Sequence, residues 1–170
     1  FQNNPFILPE LVDYVIDEAC ASGTDYLIDA YCGSGLFCIS GSRRFKKTLG
    51  IEICQSSIRW ARANAEISGI KNCEFLIGDA EELFKDARFE PAQTAVVLDP
   101  PRKGCTPEFL MQLIKYAPAR IVYVSCSPDT QARDLALLSE QGYNVLKLQP
   151  FDLFPQTRHI EAVATIERSA

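Results

Sequence analysis

The chain has 170 residues, a length that suits one domain with a sizeable buried core. It is 47% hydrophobic and 23% charged, as globular proteins are, and no apolar run is long enough to cross a membrane. The net charge of −5 excludes a protein that binds nucleic acid by overall charge alone. The one basic run, at 43–47, is interpreted as a solvated turn.

The cysteine pattern excludes two common classes of small domain. Seven cysteines are present, and no two have the C-x-x-C spacing. The odd count and the spacing argue against a disulfide framework and a zinc site, and His159 is the single histidine. We therefore expect no metal and a reducing intracellular compartment, the cytoplasm or nucleus first and the mitochondrion as the alternative.

Strands alternate with helical patterns along nearly the whole chain. Predicted strands lie at 26–31, 48–53, 73–77, 94–98, 120–125, 144–148 and 160–166. Predicted helices lie at 9–20, from 36, at 56–68, from 81, at 107–116 and at 129–141. This order predicts an α/β fold with a seven-stranded, mostly parallel sheet and helices on both faces. The last two strands have a short connection and could form an antiparallel pair at one edge.

Residues 1–170 are predicted to form a single domain, because no linker or repeat interrupts the pattern. The chain begins at Phe1 without a Met and has no signal-peptide pattern. We expect a fragment of a longer protein, and a monomer.

Three features at the carboxyl ends of predicted strands point to an adenosine-containing cofactor. Gly33 and Gly35 form a tight turn after the first strand, where glycine lets the backbone approach a ligand. Glu52 ends the second strand and could accept ribose hydroxyls, and Asp79 after the third could bind an adenine amino group. A dehydrogenase is the competing class, but Cys38 stands where the dinucleotide fingerprint requires its third glycine. The pattern fits the Rossmann-like fold of S-adenosylmethionine-dependent methyltransferases.

Two further strand ends carry candidate chemistry. Asp99-Pro100-Pro101 forms a stiff loop of the kind that some N-methyltransferases use, but Arg102 replaces the aromatic residue of that motif. Cys126 ends the fifth strand, and a thiolate that adds to C6 of a pyrimidine makes C5 nucleophilic. Glu161, at the last strand, could then remove the C5 proton. Taken alone, each of these two residues fits a structural role better, Cys126 as a buried thiol and Glu161 as a strand-edge carboxylate.

Six stretches in family order resemble the RNA 5-methyluridine methyltransferases, which act on tRNA and rRNA. They are FQNN at 1–4, DAYCGSG at 29–35, GIE at 50–52, DPPRKG at 99–104, YVSCSP at 123–128 and DLFPQTRHIE at 152–161. The resemblance departs at Leu36, where bacterial members often have a polar residue, and at Ser127, where many have Asn.

The resemblance implies a role for individual residues. S-adenosylmethionine would contact Gln2, Tyr31, Glu52 and Asp99. Cys126 would be the nucleophile and Glu161 the base. Arg158 and His159 would support the base or bind the RNA, and Arg102 would contact the substrate. Most members of the family also carry RNA-binding regions before this domain, so the resemblance implies that such regions precede it here. The implied activity is methyl transfer to C5 of an RNA uridine, first the tRNA T-loop uridine and otherwise one in rRNA. An N-methyltransferase and a non-catalytic cofactor-binding module remain the alternatives.

Overall fold

A computed structural model of the chain describes residues 4–78, 84 and 88–168. The strands of its sheet are β1 (Tyr26–Asp29), β2 (Lys47–Glu52), β3 (Cys73–Ile77), β4 (Thr94–Leu98), β5 (Arg120–Ser125), β6 (Tyr143–Phe151) and β7 (Glu161–Arg168). The α-helices of the described residues are α1 (Leu8–Cys20), α2 (Leu36–Gly41), α3 (Gln55–Ile67), α4 (Pro107–Tyr116) and α5 (Pro128–Glu140). A 3₁₀ turn at Pro91–Gln93 precedes β4.

The seven strands lie in one sheet in the order β3-β2-β1-β4-β5-β7-β6. The first five strands in this order are parallel, and β7 pairs antiparallel with both β5 and β6. The predicted mostly parallel sheet and the antiparallel pair at its edge are therefore confirmed. Within the described residues no helix has the length and apolar character that a membrane span requires.

Both faces of the sheet are covered by helices, which explains the continuous apolar runs of the central strands. On one face, Ile28 and Tyr123 pack into a core with Phe109 of α4. On the other face, Leu27 and residues of β4 and β5 pack against Leu11 and other side chains of α1. Since successive strand residues point to opposite faces, a central strand must be apolar at every position.

Several element boundaries differ from the prediction, and two of the differences have a clear structural cause. β1 ends at Asp29, so Tyr31 lies in the turn that follows it and not in the strand. β6 runs to Phe151 because its pairing with β7 continues past a register shift between Val145 and Lys147. An edge strand also tolerates Pro150, since one side of it needs no hydrogen-bond donor.

Candidate active site

A cleft of about 350 Å³ lies at the carboxyl ends of β1, β2 and β4. Its lining residues are Ala30, Tyr31, Glu52, Ile53, Gly78, Asp99, Pro101, Lys103, Gly104 and Thr106. The structure therefore brings together Tyr31, Glu52 and Asp99, three of the predicted cofactor residues. Of the other four, Gln2 and Asp79 lie outside the described residues, and Gly33 and Gly35 form the turn after β1.

The predicted glycine turn, whose two glycines are not among the lining residues, is joined to the cleft by the hydrogen bond from the Gly33 N–H to Glu52. Gly33 has φ +50° and Gly35 has φ +93°, both in the left-handed region that favours glycine. A Cβ at Gly35 would stand 3.1 Å from the Phe75 ring and 3.0 Å from Ile39, so a side chain there would also be crowded. Glycine at position 35 therefore has two separate physical reasons: the left-handed backbone and the lack of space for a side chain.

Glu52 is held by the backbone on both sides. One carboxylate oxygen accepts a hydrogen bond from the Gly33 N–H at 3.2 Å, and the other accepts from the Cys54 N–H at 2.9 Å. Each oxygen of an ionised carboxylate accepts about two hydrogen bonds, so both keep capacity for a ligand. The arrangement fixes an acceptor pair at the cleft, as ribose binding would need.

Three carboxyl groups near this edge have pKa values well above their ordinary range. Burial, with the nearby negative charge of Asp99 as a second cause, raises the pKa of Asp29 to about 8. Burial raises the pKa of Asp99 itself to about 6. Burial and then the charge of Asp99 raise the pKa of Glu161 to about 7. A carboxyl group that titrates near neutrality is suited to general acid–base chemistry.

Cys126 lies directly after β5 and is partly buried. The hydroxyl of Ser125 accepts a hydrogen bond from the Ser127 N–H at 3.1 Å and donates to the Ser127 carbonyl at 3.2 Å. These two contacts close a tight turn around the thiol before α5 begins at Pro128. The sequence analysis did not identify Ser125, although a hydroxyl residue at a strand end before Ser-Pro is a signal for such a turn.

The register of β5 and β7 relates Cys126 to Glu161. The antiparallel pairing ends with Ser125 opposite Ala162. Cys126 follows Ser125 directly, and Glu161, the first residue of β7, directly precedes Ala162. Glu161 is 3% exposed. The two candidate groups therefore lie just beyond the same end of the β5–β7 pair.

α5 also anchors the loop that follows Asp99. One carboxylate oxygen of the buried Asp134 accepts from the Cys105 N–H at 2.8 Å and from the Tyr123 hydroxyl at 2.7 Å. Arg133 pairs with the other oxygen at 2.7 Å and donates to the carbonyls of Lys103 and Cys105. The wall of the cleft formed by this loop is therefore attached to the helix that starts beside Cys126.

The three predicted substrate residues lie on two loops. Arg102 is exposed, and its carbonyl accepts from the Thr130 hydroxyl at 3.1 Å. Arg158 is exposed and His159 is partly buried, in the connection that leads into β7. His159 packs edge-on against Phe154 at 6.1 Å between ring centroids. Among the residues that the structure describes, no group of three His, Cys, Asp or Glu side chains could hold a metal ion.

Comparison with known proteins gives a match over nearly the whole chain. The family model described as tRNA (Uracil-5-)-methyltransferase matches residues 1–169. The tRNA (uracil(54)-C(5))-methyltransferases of Schizosaccharomyces pombe and Saccharomyces cerevisiae are 41% and 44% identical, each over 99% of this chain. The matches cover 34% and 28% of those proteins, so the chain spans about a third of the length of these curated relatives.

Solved structures give the same result. The crystal structure of Pyrococcus abyssi tRNA (uracil-54, C5)-methyltransferase in complex with S-adenosyl-L-homocysteine aligns with a TM-score of 0.84 and 32% identity. The alignment covers 98% of this chain and 39% of the P. abyssi chain. NSun6 from Pyrococcus horikoshii, 15% identical, shares the fold with a TM-score of 0.72 over 92% of this chain and 52% of its own. The chain belongs to the tRNA (uracil-5-)-methyltransferase family and has the Rossmann-like methyltransferase fold.

Proposed function

We propose that this chain is the catalytic domain of an S-adenosylmethionine-dependent methyltransferase that modifies C5 of a uridine in tRNA, the T-loop uridine first. The observation that carries the proposal is the β5–β7 pairing, which ends at Ser125 and Ala162 and so brings Cys126 and Glu161 to the same end of the strand pair. The adjoining cleft and membership of the family support it.

The cleft has the features that the cofactor requires. Glu52 presents two anchored carboxylate oxygens that can accept ribose hydroxyls, and Tyr31 and Asp99 line the same space. The left-handed turn at Gly33 and Gly35 leaves no side chain between the backbone and the ligand. A sulfonium cofactor carries no pyrophosphate, so the missing third glycine of the dinucleotide fingerprint is no obstacle.

Cys126 begins the reaction as a nucleophile. Its thiolate adds to C6 of a uracil that has been unstacked from the RNA, and the electron pair of the C5–C6 double bond moves onto the pyrimidine ring as an enolate. C5 thereby becomes nucleophilic. When bound, S-adenosylmethionine supplies the electrophilic methyl group for that carbon.

Glu161 completes the cycle as a base. Its carboxylate removes the proton from the methylated C5, the C5–C6 double bond forms again, and the Cys126 sulfur leaves as a thiolate. With a pKa near 7, Glu161 is partly ionised at neutral pH and can both take up and release this proton. Its burial excludes water that would compete for the proton.

The proposed substrate is tRNA, because the S. pombe and S. cerevisiae relatives carry tRNA (uracil(54)-C(5))-methyltransferase as their names. Arg102, Arg158 and His159 lie on the two loops beside the reacting groups and would contact the RNA. Unstacking the target base requires more contact surface than these three side chains provide. We therefore assign the main RNA contacts to regions outside this chain.

Trapping with 5-fluorouridine in a T-loop RNA tests the nucleophile in the intact protein. Fluorine at C5 cannot be removed as a proton, so wild type should accumulate a covalent, methylated RNA–protein adduct that survives denaturing electrophoresis. Cys126→Ala should form none, whereas the matched control Cys20→Ala, on α1 away from the cleft, should trap as wild type does.

The outcome separates the alternatives. Trapping by Cys126→Ala would refute the assignment of the nucleophile. Methylation without any adduct in wild type would indicate an N-methyltransferase that uses the Asp99-Pro100-Pro101 loop. Trapping on a 23S rRNA fragment but not on tRNA would keep the chemistry and change the substrate.

A further inference from the structure

The buried face of α5 changes character along its length. Its buried residues are Gln131, Asp134 and Leu138. The two nearest the Cys126 end of the helix are polar, at 2% and 1% exposure. Burying a side-chain amide is unfavourable unless its hydrogen bonds are made, and an apolar residue would fill the position of Gln131 at less cost. The contacts of Gln131 should therefore account for its presence.

The amide nitrogen of Gln131 bridges two strands. It donates to the Tyr123 carbonyl on β5 at 2.8 Å and to the Ala162 carbonyl on β7 at 3.1 Å. Ala162 directly follows Glu161, and Tyr123 lies on the strand that ends at Cys126. Gln131 thus connects the strand of the nucleophile to the strand of the base.

We infer that Gln131 is a positioning residue that holds the Glu161 strand in register with Cys126, so that the carboxylate reaches the C5 proton of the covalent adduct. The inference rests on the proposed function and extends it. The β5–β7 ladder ends at the pair Ser125 and Ala162, and Cys126 and Glu161 lie just beyond it. The relative position of the thiol and the carboxylate therefore depends on the contacts that hold these strand ends together. Proton abstraction is the step most sensitive to this position, because a shift of about 1 Å at a reacting group can reduce its rate by about 10²-fold.

Gln131→Met tests this inference, because it keeps the length and volume of the side chain and removes both donors. The intact protein is given T-loop RNA with ordinary uridine, with 5-deuterouridine and with 5-fluorouridine. Trapping on 5-fluorouridine RNA needs Cys126 but no proton abstraction, so the variant should trap at a rate close to wild type. On ordinary RNA, turnover should fall about tenfold or more and the methylated covalent adduct should accumulate.

The deuterium isotope effect separates positioning from a loss of structure. If Gln131 places the base, its removal makes proton abstraction rate-limiting, and the effect of C5 deuteration on turnover should rise above that of wild type. A general loss of folded protein lowers all rates together and leaves the isotope effect unchanged. The matched control is Gln141→Met, at the exposed end of the same helix, which should behave as wild type.

A second variant keeps the test decisive if the methionine variant does not fold. Gln131→Glu has nearly the same shape, and burial would keep the introduced carboxyl protonated, so one of two donated hydrogen bonds remains. Its adduct accumulation and isotope effect should fall between wild type and Gln131→Met. Wild-type isotope effects and no accumulation in every folded variant would overturn the inference. If wild type itself forms no adduct on 5-fluorouridine RNA, the proposed function fails instead.

Discussion

The two halves of the carboxyl edge of the sheet are built by different means. At β1 and β2 the backbone shapes the cleft: Gly33 and Gly35 take left-handed conformations, and main-chain N–H groups hold Glu52. At β5 and β7 the strand ends are held mainly by hydrogen bonds of side chains. Ser125 closes the turn at the thiol, and Gln131 joins the two strands.

The difference follows from what each half must place. A cofactor site needs open space and fixed acceptors, which a few glycines with left-handed backbone and main-chain N–H groups provide. A nucleophile and a base on separate strands must be placed relative to each other, and the donors of a neighbouring helix do this. We therefore expect cofactor binding, in the first half, to be weakened by substitutions that alter the backbone. The chemical steps, in the second half, should be slowed by the loss of single side-chain groups.

The largest expected effect is on the side-chain half. Glu161→Gln removes the base but leaves Cys126 intact, so the variant should form a covalent adduct with ordinary uridine RNA and release methylated product about 10²–10⁴-fold more slowly than wild type. Quantifying adduct and free 5-methyluridine by mass spectrometry over time measures both quantities. Glu140→Gln, an exposed carboxyl at the end of α5, is the control and should turn over normally. Rapid, clean turnover by Glu161→Gln would contradict the role of the base.

On the backbone half, Gly35→Ala should weaken cofactor binding. A left-handed alanine costs about 1–2 kcal/mol, and the new Cβ would crowd Phe75 at 3.1 Å and Ile39 at 3.0 Å. Titration calorimetry should show about tenfold weaker binding of S-adenosylmethionine, equivalent to about 1.4 kcal/mol. Gly142→Ala has the same backbone penalty at φ +83° with nothing within 4 Å. It should lower the melting temperature slightly and leave binding unchanged, and equal loss of binding in both variants would contradict the crowding explanation.

The effect that bears least on the comparison of the two halves is a pH dependence of stability, which comes from the buried carboxyl groups. The pKa of Glu161 rises from an ordinary 4.5 to about 7 on folding, so between these values the folded protein retains a proton that the unfolded chain has lost. The free energy of unfolding should therefore fall as pH rises through this window, by about 1–3 kcal/mol for Glu161.

Urea unfolding at pH 5, 6, 7 and 8 measures this dependence. Glu161→Gln should flatten the fall but not remove it, because Asp29 and Asp99 also have raised pKa values. The rate of product release in wild type should rise over the same pH range as Glu161 ionises. A stability that increases from pH 5 to 7 would contradict the burial of these groups in uncharged form.

Much of the fold could be predicted because its causes are local. Apolar runs predict the central strands, since a strand buried on both faces must be apolar throughout. The glycine turn at 33–35 was predictable because only glycine takes those φ values without strain. The end of β1 was misplaced by two residues, because Ala30 and Tyr31 are as apolar as a strand but follow the last paired residue.

The hydrogen bonds made by the buried polar side chains of α5 could not be predicted, because their partners are distant along the chain. Nothing near Gln131 in the sequence indicates that its amide reaches Tyr123 and Ala162, and a buried polar residue on a helix looks like a surface position. Asp134, paired in sequence with Arg133, reads as an exposed ion pair, yet it is 1% exposed and accepts from the Cys105 N–H and the Tyr123 hydroxyl. Such contacts join segments that are distant along the chain.

By itself the sequence determined the fold class, the family and the residue types available for chemistry, because periodicity, glycine and proline act over a few neighbouring positions. Only the tertiary structure decided that β7 enters the sheet between β5 and β6, in a register that brings Glu161 to the end of β5 that Cys126 follows. Strand order and register depend on how the whole apolar surface is buried and how backbone groups at strand ends find partners. That balance is a property of the packed chain and not of any one segment.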